Sequence, residues 1–525
     1  MKSKLLSAWH KLRCIFPKNV LVFAATVLLT LGFSFIVNLN LFVLGQTNEE
    51  NPATQGQWSS IIDLPLIPAA AATLPDGKVL LWSASNRTDY TIGFNPQTWT
   101  SIFDPITKEA TDTLIFSTKH EMFCPGTSHL ADGRILIAGG SDDSATTIYN
   151  PFTDSWQSTQ TMNIPRAYQS NVTLSDSRVF TIGGSWKETT IAKNGEVWQD
   201  DLGWLRLDNA LVDPIIGKDP EGVYRGDNHA WLFAASNGRV FHAGPSPQMN
   251  WFTTSGLGSV TSTGNRGDDT YSMNGTAAMY DIGKILKAGG AEAYSLGYPA
   301  NNRAYVIDIN NDVTVRKVAP MQYARGFHNS VVLPNGQIIV IGGMPNPVTF
   351  SDQNAILVPE LWNPISETWS SLASLLVPRT YHSVALLLAD GRVFSGGGGL
   401  CGKCDVNHFD AQIYSPPYLF NSDGTLADQP TINTAPSTAV YGSTIEVTTN
   451  RAISNFSLIR FSSVTHSVNN DQRRIPVTFT TAGTNSYNLE IPANAGVAPP
   501  GYYMLFALDS QGVPSVANTI KVGSY

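Results

Sequence analysis

"DGRILIAGG", residues 132–140, sets a turn dipeptide, Asp132-Gly133, directly before an alternating β-rich run that ends on paired glycines. The same order recurs in "DGKVLLWSA" from Asp76, "DSRVFTIGG" from Asp176, "NGRVFHAGP" from Asn237, "IGKILKAGG" from Ile282, "NGQIIVIGG" from Asn335 and "DGRVFSGGG" from Asp390. Each Asp-Gly or Asn-Gly reads as a hairpin turn and the run after it as a strand. The glycine pair reads as a place where backbones crowd.

Seven copies between Asp76 and Asp390 give a mean spacing of about 52 residues, close to the roughly 50-residue period of kelch repeats. An all-β, seven-bladed kelch β-propeller is therefore expected. "YNPFTDSWQ" at 149 and "LWNPISETWSS" at 361 fit the aromatic closing segments of such blades. From about Pro430 the signature stops, and short alternating strands such as "STIEVTT", "FSLIRF", "YNLEI" and "YYMLFAL" predict a small β-sandwich. The expected organisation is a leader over 1–46, the propeller over 47–425 and the sandwich over 426–525.

The 525-residue chain is long enough to bury a substantial core. Its net charge is −8 with 14% charged residues, and no basic run occurs beyond the first 18 positions, which argues against nucleic-acid binding. Lys2, Lys4, Lys11, Arg13 and Lys18 precede an apolar run from Val20 to Gly45, broken by Asn38 and Asn40. That run is long enough to cross a bilayer, and its basic flank would stay cytoplasmic. A retained membrane anchor through residues 20–45 and a signal peptide cleaved near Val43-Leu44-Gly45 are both open readings; either exports the body. A buried core helix is the third.

Equivalent blade positions lie on one ring about the propeller axis. Cys124 is eight residues before Asp132, Tyr168 eight before Asp176, His229 eight before Asn237 and His382 eight before Asp390. Tyr381 adds a phenol beside His382. Neighbours on a regular strand point to opposite faces, so both reach one centre only where the backbone is irregular, at the rim of a blade. A thiol, two phenols and imidazoles near one end of the axis suit Cu(II) better than zinc, because no finger-like Cys-His spacing is present. Tyrosines and histidines that start inner strands are also common as packed core residues.

Longer motifs narrow this. "KHEMFCPG", "RAYQSNVTLSDSRVFTIGGSW", "YRGDNHAWLF", "NWFTTSG", "RTYHSVALLLADGRVFSGGGGLCGKC", "NHFDAQIYSP" and "THSVNNDQRRIPV" strongly resemble the fungal galactose oxidases, within the copper radical oxidases that include glyoxal oxidases. The resemblance runs from about residue 57 to 525. It implies a seven-bladed kelch propeller followed by an immunoglobulin-like β domain. It also implies one copper ion and a self-generated thioether between Cys124 and the ring of Tyr168. Tyr168 would be an equatorial ligand and the radical, Trp186 would stack on the thioether, and Tyr381 would be the axial ligand and base. His382 and His466 would supply the imidazoles. A primary alcohol or sugar would be oxidised, with dioxygen reduced to hydrogen peroxide.

The substrate side departs from the family pattern. Arg225 and Phe350 match a hydroxyl-binding arginine and a hydrophobic wall, but Tyr90 stands where a phenylalanine is expected and Ser295 where a glutamine is expected. Galactose itself is thereby placed in doubt. His229 is not a ligand in the family pattern, and Asp227 has no assigned role. No amino-terminal carbohydrate-binding domain is expected, and the protein should be monomeric. Cys401 and Cys404 read as a local structural disulfide; redox and half-zinc readings of Cys-x-x-Cys find no supporting second pair. The competing functions are an aldehyde oxidase of glyoxal oxidase type and a non-catalytic exported kelch module binding glycans or proteins.

Overall fold

The computed structural model describes residues 51–524 apart from 91–94, 142, 187–191 and 220–224. The apolar run at 20–45 lies outside them, and among the described residues no helix is long and apolar enough to cross a membrane. The architecture is all-β. Among the described residues, seven antiparallel sheets follow one another, with innermost strands Ala70–Thr73, Gly126–His129, Ser170–Thr173, Trp231–Ala234, Thr276–Asp281, Gly326–Val332 and Ser383–Leu387. Each inner strand touches the next and the seventh touches the first, except that Ser463–Thr465 bridges the first and second, so the sheets stand around a common axis. The seventh sheet takes its outermost strand, Gln57–Trp58, from the other end of the chain: Gln57 pairs with Ser415 and Trp58 with Tyr414.

The turns form where the repeat predicts them. In six of the seven, the turn Asp or Asn accepts a hydrogen bond from the amide two residues on, as Asp132 does from Arg134 (3.0 Å) and Asn335 from Gln337 (3.1 Å). This is the Asx turn that these residues favour. Gly133 follows with φ +93°. The glycine pairs are needed for clearance as well as conformation: Gly342 has φ +72°, and a Cβ there would lie 2.0 Å from the Arg379 carbonyl oxygen in the next sheet. Arg325 donates to that same Gly342 carbonyl (2.8 Å) and to the Glu360 carboxylate (2.6 Å), both buried within one sheet.

The seventh sheet's last strand of its own, Asp410–Ser415, precedes two further sheets. One runs in the order Ile432–Thr434, Thr444–Thr449, Ser486–Glu490, Phe479–Gly483. The other contains Asn455–Arg460 and Gly501–Leu508, and Val447, Leu489, Leu458, Leu505 and Ile520 fill the core they share.

One excursion from these sheets positions the site. Ser463–Thr465 leaves the C-terminal sheets and pairs with Ala70–Thr73, the inner strand of the first propeller-like sheet. The residues after it plug the axis. Asp471 accepts from the backbone amides of His129 (2.8 Å) and Thr173 (3.3 Å), Asn470 from Leu232 (3.2 Å), and Gln472 from Val332 (3.1 Å). Inner strands expose an open edge toward the axis, and buried backbone amides need partners. The polar run "NNDQ" supplies them.

Candidate metal centre

The ring position repeats a backbone conformation. Cys124 (φ 59°), Tyr168 (64°), His229 (57°), Asn274 (60°), Phe327 (61°) and His382 (67°) are all left-handed, each eight residues before its sheet's turn. Tyr168 N donates to Cys124 O (2.8 Å), His229 N to Tyr168 O (3.0 Å) and Phe327 N to Asn274 O (2.8 Å), so rim residues of adjacent sheets are linked. Left-handed non-glycine residues are costly and persist where surrounding structure over-determines them. Here the linkage supplies that constraint. The irregular rim also lets Tyr381 and His382 reach one centre, their rings stacked 3.9 Å apart.

Cys124, His382 and His466, all buried, each bring one potential ligand atom to within 4.8 Å of the others. Cys124 Sγ lies 3.4 Å from His466 Nε2, and the hydroxyls of Tyr168 and Tyr381 are 3.3 Å apart. The Tyr168 ring stands 4.9 Å from that of His466 and 4.6 Å from that of Trp186. Cys124 is also within hydrogen-bonding reach of the Tyr168 phenol. His382 Nδ1 donates to the Gly399 carbonyl at 2.6 Å, which leaves Nε2 with a buried lone pair and no hydrogen-bond partner among the described residues.

Electrostatics agree with a metal-binding donor set. Burial pushes His382 down to about 3 and His466 well below its ordinary value, so both imidazoles are neutral. Burial, with the Cys124 thiol beside them, pushes the Tyr168 and Tyr381 phenols up. A cation reverses that balance by stabilising the phenolate. Two neutral imidazoles, one of them with an unpartnered Nε2, and two phenols converging in a buried centre are a donor set that fits copper(II).

The sequence reading missed Tyr294, which is buried with its hydroxyl 2.9 Å from that of Tyr381 and its ring 5.8 Å from that of Tyr168. It lies within "GGAEAYSLGY", one residue before Ser295; the irregular loop carried no periodic signal. Ser295 is half-buried beside it. Tyr90 stacks on Phe350 (5.2 Å, 11°), and Phe350 stands edge-on to Tyr381 (5.2 Å), so the two form one aromatic wall. Arg225 is only 6% exposed, with its guanidinium 5.4 Å from the Trp186 ring and 3.2 Å from Asp219. His229 stacks between Tyr294 (5.3 Å) and His466 (5.4 Å). Asp227 accepts from the Ser185 amide (2.9 Å) and hydroxyl (2.8 Å), and so fixes the residue before Trp186. Cys401 and Cys404 are disulfide-bonded, with Cα atoms 5.6 Å apart.

Residues 429–522 match the model of the galactose oxidase-like Early set domain. A curated galactose oxidase of Gibberella zeae is 46% identical over 502 residues, covering 93% of this chain and 73% of that protein. The chain belongs to the galactose oxidase family. The solved structure of a fungal alcohol oxidase of the AA5 family in complex with copper superposes with TM-score 0.86 and 41% identity, covering 90% of this chain and all of that one. An aldehyde oxidase of Vitis pseudoreticulata is 24% identical, covering 77% of this chain and 82% of that protein. Membership in the galactose oxidase family makes this chain an alcohol oxidase by kinship.

Proposed function

We propose that the protein is an exported copper radical oxidase, built on a seven-bladed kelch propeller and an immunoglobulin-like sandwich. It oxidises a primary alcohol, RCH2OH, to the aldehyde while dioxygen becomes hydrogen peroxide. The observation that carries this reading is the convergence of Cys124, His382 and His466 within 4.8 Å on the same centre as the Tyr168 and Tyr381 phenols. A glycan-binding module has no use for that set. The basic-then-apolar leader and the Cys401–Cys404 disulfide support export; with the leader retained, residues 20–45 anchor the protein, which acts as a monomer.

His382, His466, Tyr168 and Tyr381 would hold the metal. Copper, when bound, would supply a one-electron acceptor and a Lewis acid for the alcohol oxygen. Tyr381, buried beside Tyr168, takes the hydroxyl proton. Tyr168, once joined through its ring to the Cys124 sulfur and oxidised by one electron, would take a hydrogen atom from the substrate carbon. The thioether donates electron density into the ring and eases its oxidation. Trp186 covers that ring and excludes water from it. Tyr90, Phe350, Arg225 and Ser295 face the substrate, and one guanidinium and one hydroxyl beside two aromatic rings suit a galactose-like sugar or a related primary alcohol.

The test is peroxide production by the copper-loaded protein from galactose, glycerol, benzyl alcohol and methylglyoxal. Turnover of at least one alcohol above methylglyoxal is expected. Turnover of methylglyoxal alone would make the protein an aldehyde oxidase, and none at all would return it to the binding-module class.

A further inference from the structure

His466 is the metal-facing imidazole that the C-terminal sheets contribute, and its partner has no role in the reading above. The Nδ1 of His466 lies 2.7 Å from the hydroxyl of Thr465, the preceding residue. That hydroxyl carries one proton, and the Ala69 carbonyl, which can only accept, lies 3.1 Å from it. A hydroxyl whose proton is committed can only accept. Directed at Ala69, that proton leaves the hydroxyl as acceptor for His466 Nδ1–H, and the Nε2 lone pair then faces the centre, 3.4 Å from Cys124 Sγ.

The Ala69 carbonyl belongs to the propeller-like part, immediately before the inner strand Ala70–Thr73 that pairs with Ser463–Thr465. In six sheets the ring position is a left-handed residue. In the first sheet the equivalent residue, eight before Asp76, is Pro68, whose ring fixes a negative φ. The hairpin bearing Thr465 and His466 enters beside this sheet, and His466 itself adopts φ 50°. His382 has its tautomer set by a backbone carbonyl within its own sheet. Among the described residues, the partner of His466 Nδ1 is the hydroxyl that joins it to the propeller-like part.

We propose that Thr465 is a positioning residue: its hydroxyl, anchored on Ala69, sets the tautomer and ring orientation of His466 and thereby couples docking of the C-terminal sheets to metal affinity. The inference rests on His466 being a copper ligand. Outer partners of ligating histidines typically change metal affinity by about 10- to 100-fold when removed.

The experiment measures copper affinity by competition against a chelator, and the copper EPR spectrum at saturation, for wild type, Thr465→Val, Thr465→Ser and His466→Ala. Thr465→Val should bind copper about 10-fold or more weakly and shift the nitrogen hyperfine pattern. Its metal-free melting temperature should stay near that of wild type. Thr465→Ser should recover both affinity and spectrum. Thr465→Ala makes the same comparison without a branched side chain if the valine variant does not fold. Equal copper affinity in Thr465→Val and wild type overturns the inference alone. So does a loss of affinity with an unchanged saturated spectrum and a matching fall in metal-free stability, since that marks a packing role. Equal affinity in His466→Ala and wild type overturns the ligand reading beneath it.

Discussion

The Nε2 of His466 lies 3.4 Å from the Sγ of Cys124, although 342 residues separate them in the chain. Cys124 sits on the rim of the second propeller-like sheet, while His466 arrives on a hairpin from the C-terminal sheets. The centre therefore exists only when both parts are folded and docked. The thiol, which cannot join the local Cys401–Cys404 disulfide, faces a phenol and an imidazole.

The first consequence concerns mass. Copper-loaded protein exposed to dioxygen should be lighter by about 2 Da than its disulfide-corrected sequence mass, because forming the Cys124–Tyr168 bond transfers one S–H and one ring C–H hydrogen, with their two electrons, to dioxygen. Cys124→Ser should show no such deficit. Intact-mass spectrometry decides it; a copper-loaded enzyme that turns over alcohol while Cys124 still alkylates would remove the thioether from the mechanism.

Removing the metal should lower thermal stability. A ligand at 100 times its dissociation constant stabilises the folded state by about 2.7 kcal/mol. Chelated protein should melt lower by calorimetry, and His466→Ala should lose most of the copper-dependent increment. Superimposable wild-type transitions with and without copper would mean that the metal does not tie the two parts together.

Tyr294 should matter to the chemical step. Its hydroxyl lies 2.9 Å from that of Tyr381, and hydrogen bonds to charged groups contribute about 1.5–3 kcal/mol. Tyr294→Phe should therefore reduce kcat by about 10-fold or more while KM for benzyl alcohol changes little. Unchanged kcat would assign Tyr294 to packing alone.

Acid should destabilise the metal-free fold steeply. Burial pushes His129, His229, His242, His328 and His382 down to about 3. In the unfolded chain they protonate near 6.5. Their depressed values mean that stability is intact above 6.5 and is lost as pH falls toward 3. Asp227, raised to about 6 by burial, opposes them by binding a proton in the folded state. Unfolding at pH 5 should take up about four protons or more net, giving a slope of roughly 5 kcal/mol per pH unit. Urea titrations at pH 5 to 7 measure it, and a slope matching one proton or fewer would show that these imidazoles are not buried neutral.

Local chemistry made much of the fold legible. Asp-Gly and Asn-Gly turns, alternating runs and glycine pairs encode hairpins through backbone conformations that few residues adopt, so seven repeats could be read directly. The same spacing placed Cys124, Tyr168, His229 and His382 on one ring, and the structure brings them together. Asp227 and Tyr294 were opaque, because a buried hydrogen bond from an irregular loop leaves no periodic trace. The roles of Asn470, Asp471 and Gln472 were equally hidden: "NNDQ" reads as a polar hairpin until the open edges of four inner strands are seen to need partners.

By itself, then, the sequence determined the repeated hairpins, their order and the residue types brought to the rim. Those depend on neighbours in the chain. Only the tertiary structure decided that Pro68 leaves one rim place to a hairpin from the C-terminal sheets, and which ring nitrogen of His466 faces the centre. Both follow from contacts across more than 300 residues, where geometry rather than spacing selects the partner of each buried polar atom.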